Sequence, residues 1–149
     1  MIAVFPGSFD PMTIGHIALL KRAVKMFDKI IVAVGINTSK KCDRNAAPHK
    51  DDILESIRRA VADMPQVEVE SYSCLTTDFC RIKGAHVILR GVRDNADFEY
   101  ERKIADINRL IAPDIETVIL LAEPEYATIS SSMVRELAAF GHDVTKWLA

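Results

Sequence analysis

Between Gly7 and His16 the chain reads Gly-Ser-Phe-Asp-Pro-Met-Thr-Ile-Gly-His. Two glycines, a hydroxyl and an imidazole thus stand where an apolar run gives way to helical periodicity. Helix N-termini offer unpaired N–H groups and a partial positive charge, so such a turn suits phosphate. Gly15 leaves the backbone beside His16 open to close approach. A second cluster, Arg90-Gly91-Val92-Arg93-Asp94, follows another apolar run. Arg90 ends that run, where a charge needs a partner, and phosphate is one. The first loop has neither the G-x-G-x-x-G of dinucleotide folds nor the G-x-x-x-x-G-K-S/T of a P-loop. The chemistry on offer is phosphate binding and transfer by placed donors and cations.

Each residue has a plainer reading beside the functional one. A lone histidine is more often a core or surface residue with a local hydrogen bond, but a Gly-His pair at the first helix start favours function for His16. Ser8 closes a turn or touches substrate. Ser130 to Ser132 reads equally as an N-cap cluster. Lys40 and Lys41, in a charged stretch, read as solvated, and Glu101 as a surface partner of Arg102 or Lys103. Asn108, seven residues after Glu101, shares its helix face.

The elements that must position these residues follow from periodicity. Ile2 to Phe5 is a short apolar strand ended by Pro6-Gly7, and Ile17, Leu20, Val24 and Phe27 repeat at helical spacing. Ile30 to Val34 is a second strand. Asn37 to Lys50 is polar and predicts a loop. Ile53, Ile57, Val61 and Met64 mark a second helix stopped by Pro65, and Val67 to Glu70 a third strand. Leu75, Phe79 and Ile82 predict a short helix stopped by Gly84. Val87 to Leu89, a helix from Phe98 to Ile111, Thr117 to Leu121, and a helix over Val134 to Phe140 ended by Gly141 complete the pattern. Strands alternating with helices predict an α/β fold, a doubly wound, Rossmann-like five-stranded parallel sheet in a single domain. Ligands of such folds bind beyond the strands' carboxyl ends, where strand order reverses.

Composition sets bounds. The chain has 149 residues, 49% hydrophobic and 27% charged, which is one globular domain with a full core. A formal net charge of -2 gives no electrostatic case for nucleic acid or an anionic membrane. No apolar run is long enough to span a bilayer, and no targeting segment is read at the start. Three cysteines, Cys42, Cys74 and Cys80, form no CxxC pair and read as reduced thiols in a cytoplasmic protein, without a metal site.

Pro6-Gly7-Ser8-Phe9-Asp10-Pro11 with Thr13-Ile14-Gly15-His16 resembles the first signature of the nucleotidyltransferase superfamily. Ile129-Ser130-Ser131-Ser132 followed by Arg135 resembles its second signature, Ile-Ser-Ser-Ser/Thr-x-x-Arg. Arg90-Gly91-Val92-Arg93, Asp97-Phe98-Glu99-Tyr100-Glu101 and Ser39-Lys40-Lys41 resemble phosphopantetheine adenylyltransferases in particular. The match covers nearly the whole chain in the family's order. Ser8 stands where the family usually has Thr, keeping the hydroxyl. The stretch from Cys42 to Lys50 is a few residues longer than the family's pattern.

The resemblance implies one nucleotidyltransferase domain over residues 1–149, with strand order 3-2-1-4-5. It also implies AMP transfer from ATP to 4'-phosphopantetheine, giving dephospho-coenzyme A and pyrophosphate in coenzyme A biosynthesis. His16, Lys40 and Arg93 are its catalytic residues. Ser8, Lys40, Thr76 and Arg90 bind phosphopantetheine. Ser8, Phe9, His16, Gly91, Val92, Arg93 and Glu101 bind ATP, as does the run Tyr126, Ala127, Thr128, Ile129, Ser130, Ser131 and Ser132. It further implies a cytoplasmic homohexamer, with Mg²⁺ carried on ATP's phosphates rather than in a protein metal site.

Overall fold

The computed structural model describes residues 1–36 and 50–149. Its strands are β1 (Ile2–Gly7), β2 (Lys29–Gly35), β3 (Val67–Tyr72), β4 (Val87–Val92) and β5 (Glu116–Leu121), and its helices α1 (Ile14–Ala23), α2 (Lys50–Ala60), α3 (Thr76–Lys83), α4 (Asn95–Ile111) and α5 (Ser131–Ala139). Two 3₁₀ turns, Pro124–Tyr126 and Thr145–Trp147, flank α5. All strand pairings are parallel, in the order β3-β2-β1-β4-β5, as the resemblance implied.

The period-two alternation of a strand sends successive side chains to opposite faces. Ala3 and Phe5 of β1, Ile30 and Val32 of β2, and Leu89 of β4 share one core with Leu20 of α1 and Ile57 of α2. Val4, Ile31, Ala33 and Ile88 point the other way, onto Phe79 and Cys80 of α3 and Ile115. Both sheet faces are therefore covered, which is why the central strands read as continuous apolar runs rather than alternating ones.

Several boundaries move for physical reasons. β4 continues past Leu89 to Val92, so Arg90 lies inside the strand and not in a loop after it, in register with Ile119. The ion pair of Arg90 with Glu101 supplies the partner that a charge needs in that position. Helix α4 starts at Asn95, three residues before the apolar signal at Phe98, because Asp94 caps it by accepting from the Asp97 N–H at 2.8 Å. Helix α2 ends at Ala60; Val61 and Met64 are buried in the turn that follows it. Helix α3 buries Phe79 and Cys80, leaving Leu75 and Ile82 exposed. Gly84 ends it in the left-handed conformation, φ 65°, which favours glycine.

Candidate active site

The carboxyl ends of β1 and β4 lie side by side at the centre of the sheet, where strand order reverses. Two adjoining cavities open there, of about 300 and 210 Å³. They share Pro6 and Gly7 of β1, Ser8 just after it, Arg90 and Glu101. The site is thus one cleft with two lobes and a common floor.

His16 faces the larger lobe from the first turn of α1. Thr13 is the helix N-cap, and its backbone N–H donates to His16 Nδ1 at 3.0 Å, with Thr13 Oγ1 also 3.0 Å away. A backbone amide can only donate, so Nδ1 accepts and the ring proton sits on Nε2. The ring lies edge-on to Phe9, 5.3 Å between centroids. Burial pushes its pKa down to about 4, and the charges of Arg93 and Arg90 push the same way. His16 is therefore a neutral imidazole at physiological pH, with an Nε2–H donor.

Arg90 and Glu101 form the floor. Arg90 Nε donates to Glu101 Oε2 at 2.7 Å and Nη2 to Oε1 at 2.5 Å, while Nη1 donates to the Pro6 carbonyl at 2.5 Å. Glu101 is 8% exposed at its side chain, Arg90 25%. Such a bidentate pair fixes the guanidinium plane. Glu101 is held by Arg90, not by its helix neighbours Arg102 or Lys103. Among the described residues three of the five guanidinium donors are engaged, leaving two N–H groups on Arg90.

Arg93 stands on the rim of the larger lobe, held by Asp97 at 3.0 Å from Nε and 3.3 Å from Nη2. Between the two arginines, Gly91 has a packing role. A Cβ there would lie 2.5 Å from Leu19 Cδ1, so the glycine leaves room for the end of the Leu19 side chain where β4 passes α1.

The serines at the start of α5 divide their work. Ser130 is the N-cap, accepting from the Met133 N–H at 3.0 Å. Ser131 Oγ donates to the Pro11 carbonyl at 2.7 Å, and Arg135 donates to the Asp10 carbonyl. The second sequence motif thus holds the loop of the first. Thr13 bridges Leu148, and the Ala149 N–H donates to the Met12 carbonyl at 3.1 Å, from the other side. The first turns of α1 and α5 both reach the larger lobe, and each brings N–H groups that have no partner four residues back.

Of the residues expected at the site, Ser8, Phe9, His16, Gly91, Val92 and Arg93 line the larger lobe. Tyr126, Ile129 and Ser130 to Ser132 complete it. Phe9 is 4% exposed and packs chiefly as a wall under Gly7, with a left-handed backbone, φ 48°. Thr76 lines the smaller lobe. Ala127 and Thr128 form the turn between, outside both linings, and Thr128 is exposed. Lys40 lies outside the described residues. The smaller lobe adds residues that no motif signalled, Tyr72 and Gly35 among them. Glu101 and Asn108, placed on one helix face by their spacing, both line that lobe, and Ile104 and Ala105 between them join it. Asp97, read only as part of a motif, proves to hold Arg93.

A family model described as cytidylyltransferase-like matches residues 4–137. The chain is 50% identical over 146 residues to a phosphopantetheine adenylyltransferase of Phocaeicola vulgatus, covering 98% of this chain and 93% of that one. It is 46% identical over 143 residues to one of Levilactobacillus brevis, covering 96% and 86%. Among solved structures it resembles a bifunctional NMN adenylyltransferase/ADP ribose pyrophosphatase of Francisella tularensis, TM-score 0.68 at 15% identity, covering 99% of this chain and 44% of that one. It also resembles a putative nicotinate-nucleotide adenylyltransferase of Vibrio parahaemolyticus, TM-score 0.62 at 16% identity, covering 99% and 92%. At such identities these two structures speak for the fold.

Proposed function

The chain belongs to the cytidylyltransferase-like family and, within it, to the phosphopantetheine adenylyltransferases, and from that membership we propose that it transfers AMP from ATP to 4'-phosphopantetheine. The products are dephospho-coenzyme A and pyrophosphate. The observation that carries this reading is the cleft of two lobes over one floor, with a neutral histidine and two helix N-termini on one side. Two phosphate-bearing substrates placed end to end need that shape.

The larger lobe takes ATP and the smaller one the pantetheine arm, so the two phosphates meet over Ser8, Arg90 and Glu101. A phosphate oxygen of phosphopantetheine attacks the α-phosphorus. A new P–O bond forms, the bond from the α-phosphorus to the bridging oxygen breaks, and pyrophosphate leaves with that electron pair. The nucleophile is already an anion, so the protein needs no strong base and works by positioning and charge stabilisation.

His16 Nε2–H donates to the charge that grows on the α-phosphate and its leaving oxygen. Arg90 offers its two remaining N–H groups to the acceptor phosphate, together with Lys40, and Arg93 lies along ATP. Glu101 acts on the nucleotide side through Arg90. Mg²⁺ screens the phosphate charge when bound. Among the described residues the carboxylates lining the larger lobe, Asp97 and Glu101, are committed to arginines, which favours an ion held by ATP and water.

The enzyme works in the cytoplasm as a homohexamer. Among the described residues no helix is long and apolar enough to cross a membrane. Exposed Ile107, Leu110 and Ile111 on α4 favour a face covered by other copies. Label from the α-phosphorus of ATP should appear in dephospho-coenzyme A. Label found only in free AMP would reject the transfer.

A further inference from the structure

The smaller lobe has aliphatic groups from Ile88, Ile104 and Ala105 and polar ones from Arg90, Glu101, Asn108 and Thr117, and one side carries two hydroxyls in contact. Tyr72 OH and Thr76 Oγ1 are 2.9 Å apart. The tyrosine is held on three sides. Its ring stacks on Phe79 with 4.9 Å between centroids, its carbonyl accepts from the Ile36 N–H at 2.8 Å, and its hydroxyl end lies over Gly35. A Cβ on Gly35 would come 3.7 Å from the Tyr72 hydroxyl oxygen, so the last residue of β2 is the platform on which that end rests. A hydroxyl fixed in this way pays little entropy when it binds.

Proton counting shows what the pair offers. Two hydroxyls bring two protons, and the bond between them uses one, whichever oxygen donates. The pair therefore always carries one more O–H donor, and both oxygens keep acceptor capacity. Beside the aliphatic side chains of Ile88, Ile104 and Ala105, a polar group so placed discriminates more strongly than they do, because a ligand that cannot answer it leaves it unsatisfied.

We propose that Tyr72, acting as a pair with Thr76, is a specificity-determining residue of the acceptor lobe that donates to an amide carbonyl in the acceptor's arm. The proposal rests on reading that lobe as the acceptor's. Tyr72 selects an amide-bearing arm over an all-carbon arm of the same length, while the aliphatic side chains take either.

The test is steady-state kinetics of wild type, Tyr72→Phe, Thr76→Val and the double variant, with 4'-phosphopantetheine and with an alkyl phosphate of matching length. Tyr72→Phe should raise KM for phosphopantetheine about five- to tenfold, the worth of one hydrogen bond, and leave KM for ATP unmoved. The alkyl phosphate should show no such change, and the double variant should lose less than the sum of the single ones, since both act through one shared pair. Tyr72→Phe keeps the ring and its stack, and an unchanged melting temperature confirms that the lobe is intact. Wild type active on phosphopantetheine with Tyr72→Phe equal to it, or a KM change alike for both acceptors, overturns the proposal alone. Wild type inactive on phosphopantetheine overturns it together with the function on which it rests.

Discussion

His16 is the residue on which most of the chemistry turns, and its state is set by its neighbours. The Thr13 amide fixes Nδ1 as acceptor, while burial and two arginines keep the ring neutral down to a pKa of about 4. An NMR titration of the free protein should show His16 unprotonated through pH 5, unlike an exposed histidine near 6.5. Between pH 6.5 and about 4 the unfolded chain holds a proton that the folded one refuses. Lower pH therefore favours unfolding, and the contribution of His16 to stability is full above 6.5 and lost as pH falls through that window. His16→Ala should abolish this component of the pH dependence. It should also lower kcat roughly 10²- to 10³-fold, with ATP binding weakened only a few-fold, as for a donor used in the transition state. Equal losses in binding and turnover would contradict the role. The sequence indicated His16 through its neighbours Gly15 and Thr13, but not its tautomer, which depends on the geometry of the capping bond.

At the scale of elements, β4 shows what periodicity can and cannot reveal. Hydrophobicity stops at Leu89, which puts the strand's end before Arg90, yet it runs to Val92, and Glu101 on α4 meets the arginine inside the cleft. That partner lies eleven residues away on another element, a pairing made by the crossing of strand and helix and written in no local pattern. Glu101→Ala would leave Arg90 unpaired in a largely buried position, at a cost of about 1–3 kcal/mol after allowing for partial exposure. Glu101→Gln, which keeps shape and one acceptor, should lose less, and urea unfolding of the two variants tests the order. Gly91→Ala should cost about 1 kcal/mol, the low end for an added methyl in a packed place, because the atom it meets is the mobile end of the Leu19 side chain. Leu19→Ala in the same chain should recover part of the loss from Gly91→Ala. By contrast, spacing alone put Glu101 and Asn108 on one face of α4, since a helix of regular pitch needs no more, but it did not show that this face lines the cleft or that Ile104 and Ala105 share it.

For the whole molecule, the alternation of apolar strands with helices was enough to predict a parallel sheet covered on both faces. The adjacency of β1 and β4 came from family resemblance and is what the sheet displays. Tyr72 and Gly35 gave no signal, because their importance arises only when the ends of β2 and β3 meet beside the cleft. The exposed apolar residues of α4 carry a prediction at this scale. Light scattering should report a hexamer, and Leu110→Asp, at a side chain 84% exposed in the single chain, should shift it toward smaller species. The account as a whole rests on two substrates meeting over one floor. Pyrophosphate release from ATP and Mg²⁺, followed with and without 4'-phosphopantetheine, tests that most directly. The account predicts release that depends on phosphopantetheine, with dephospho-coenzyme A formed in equal amount. Release that ignores the acceptor, or ATP binding with no release in its presence, would contradict it.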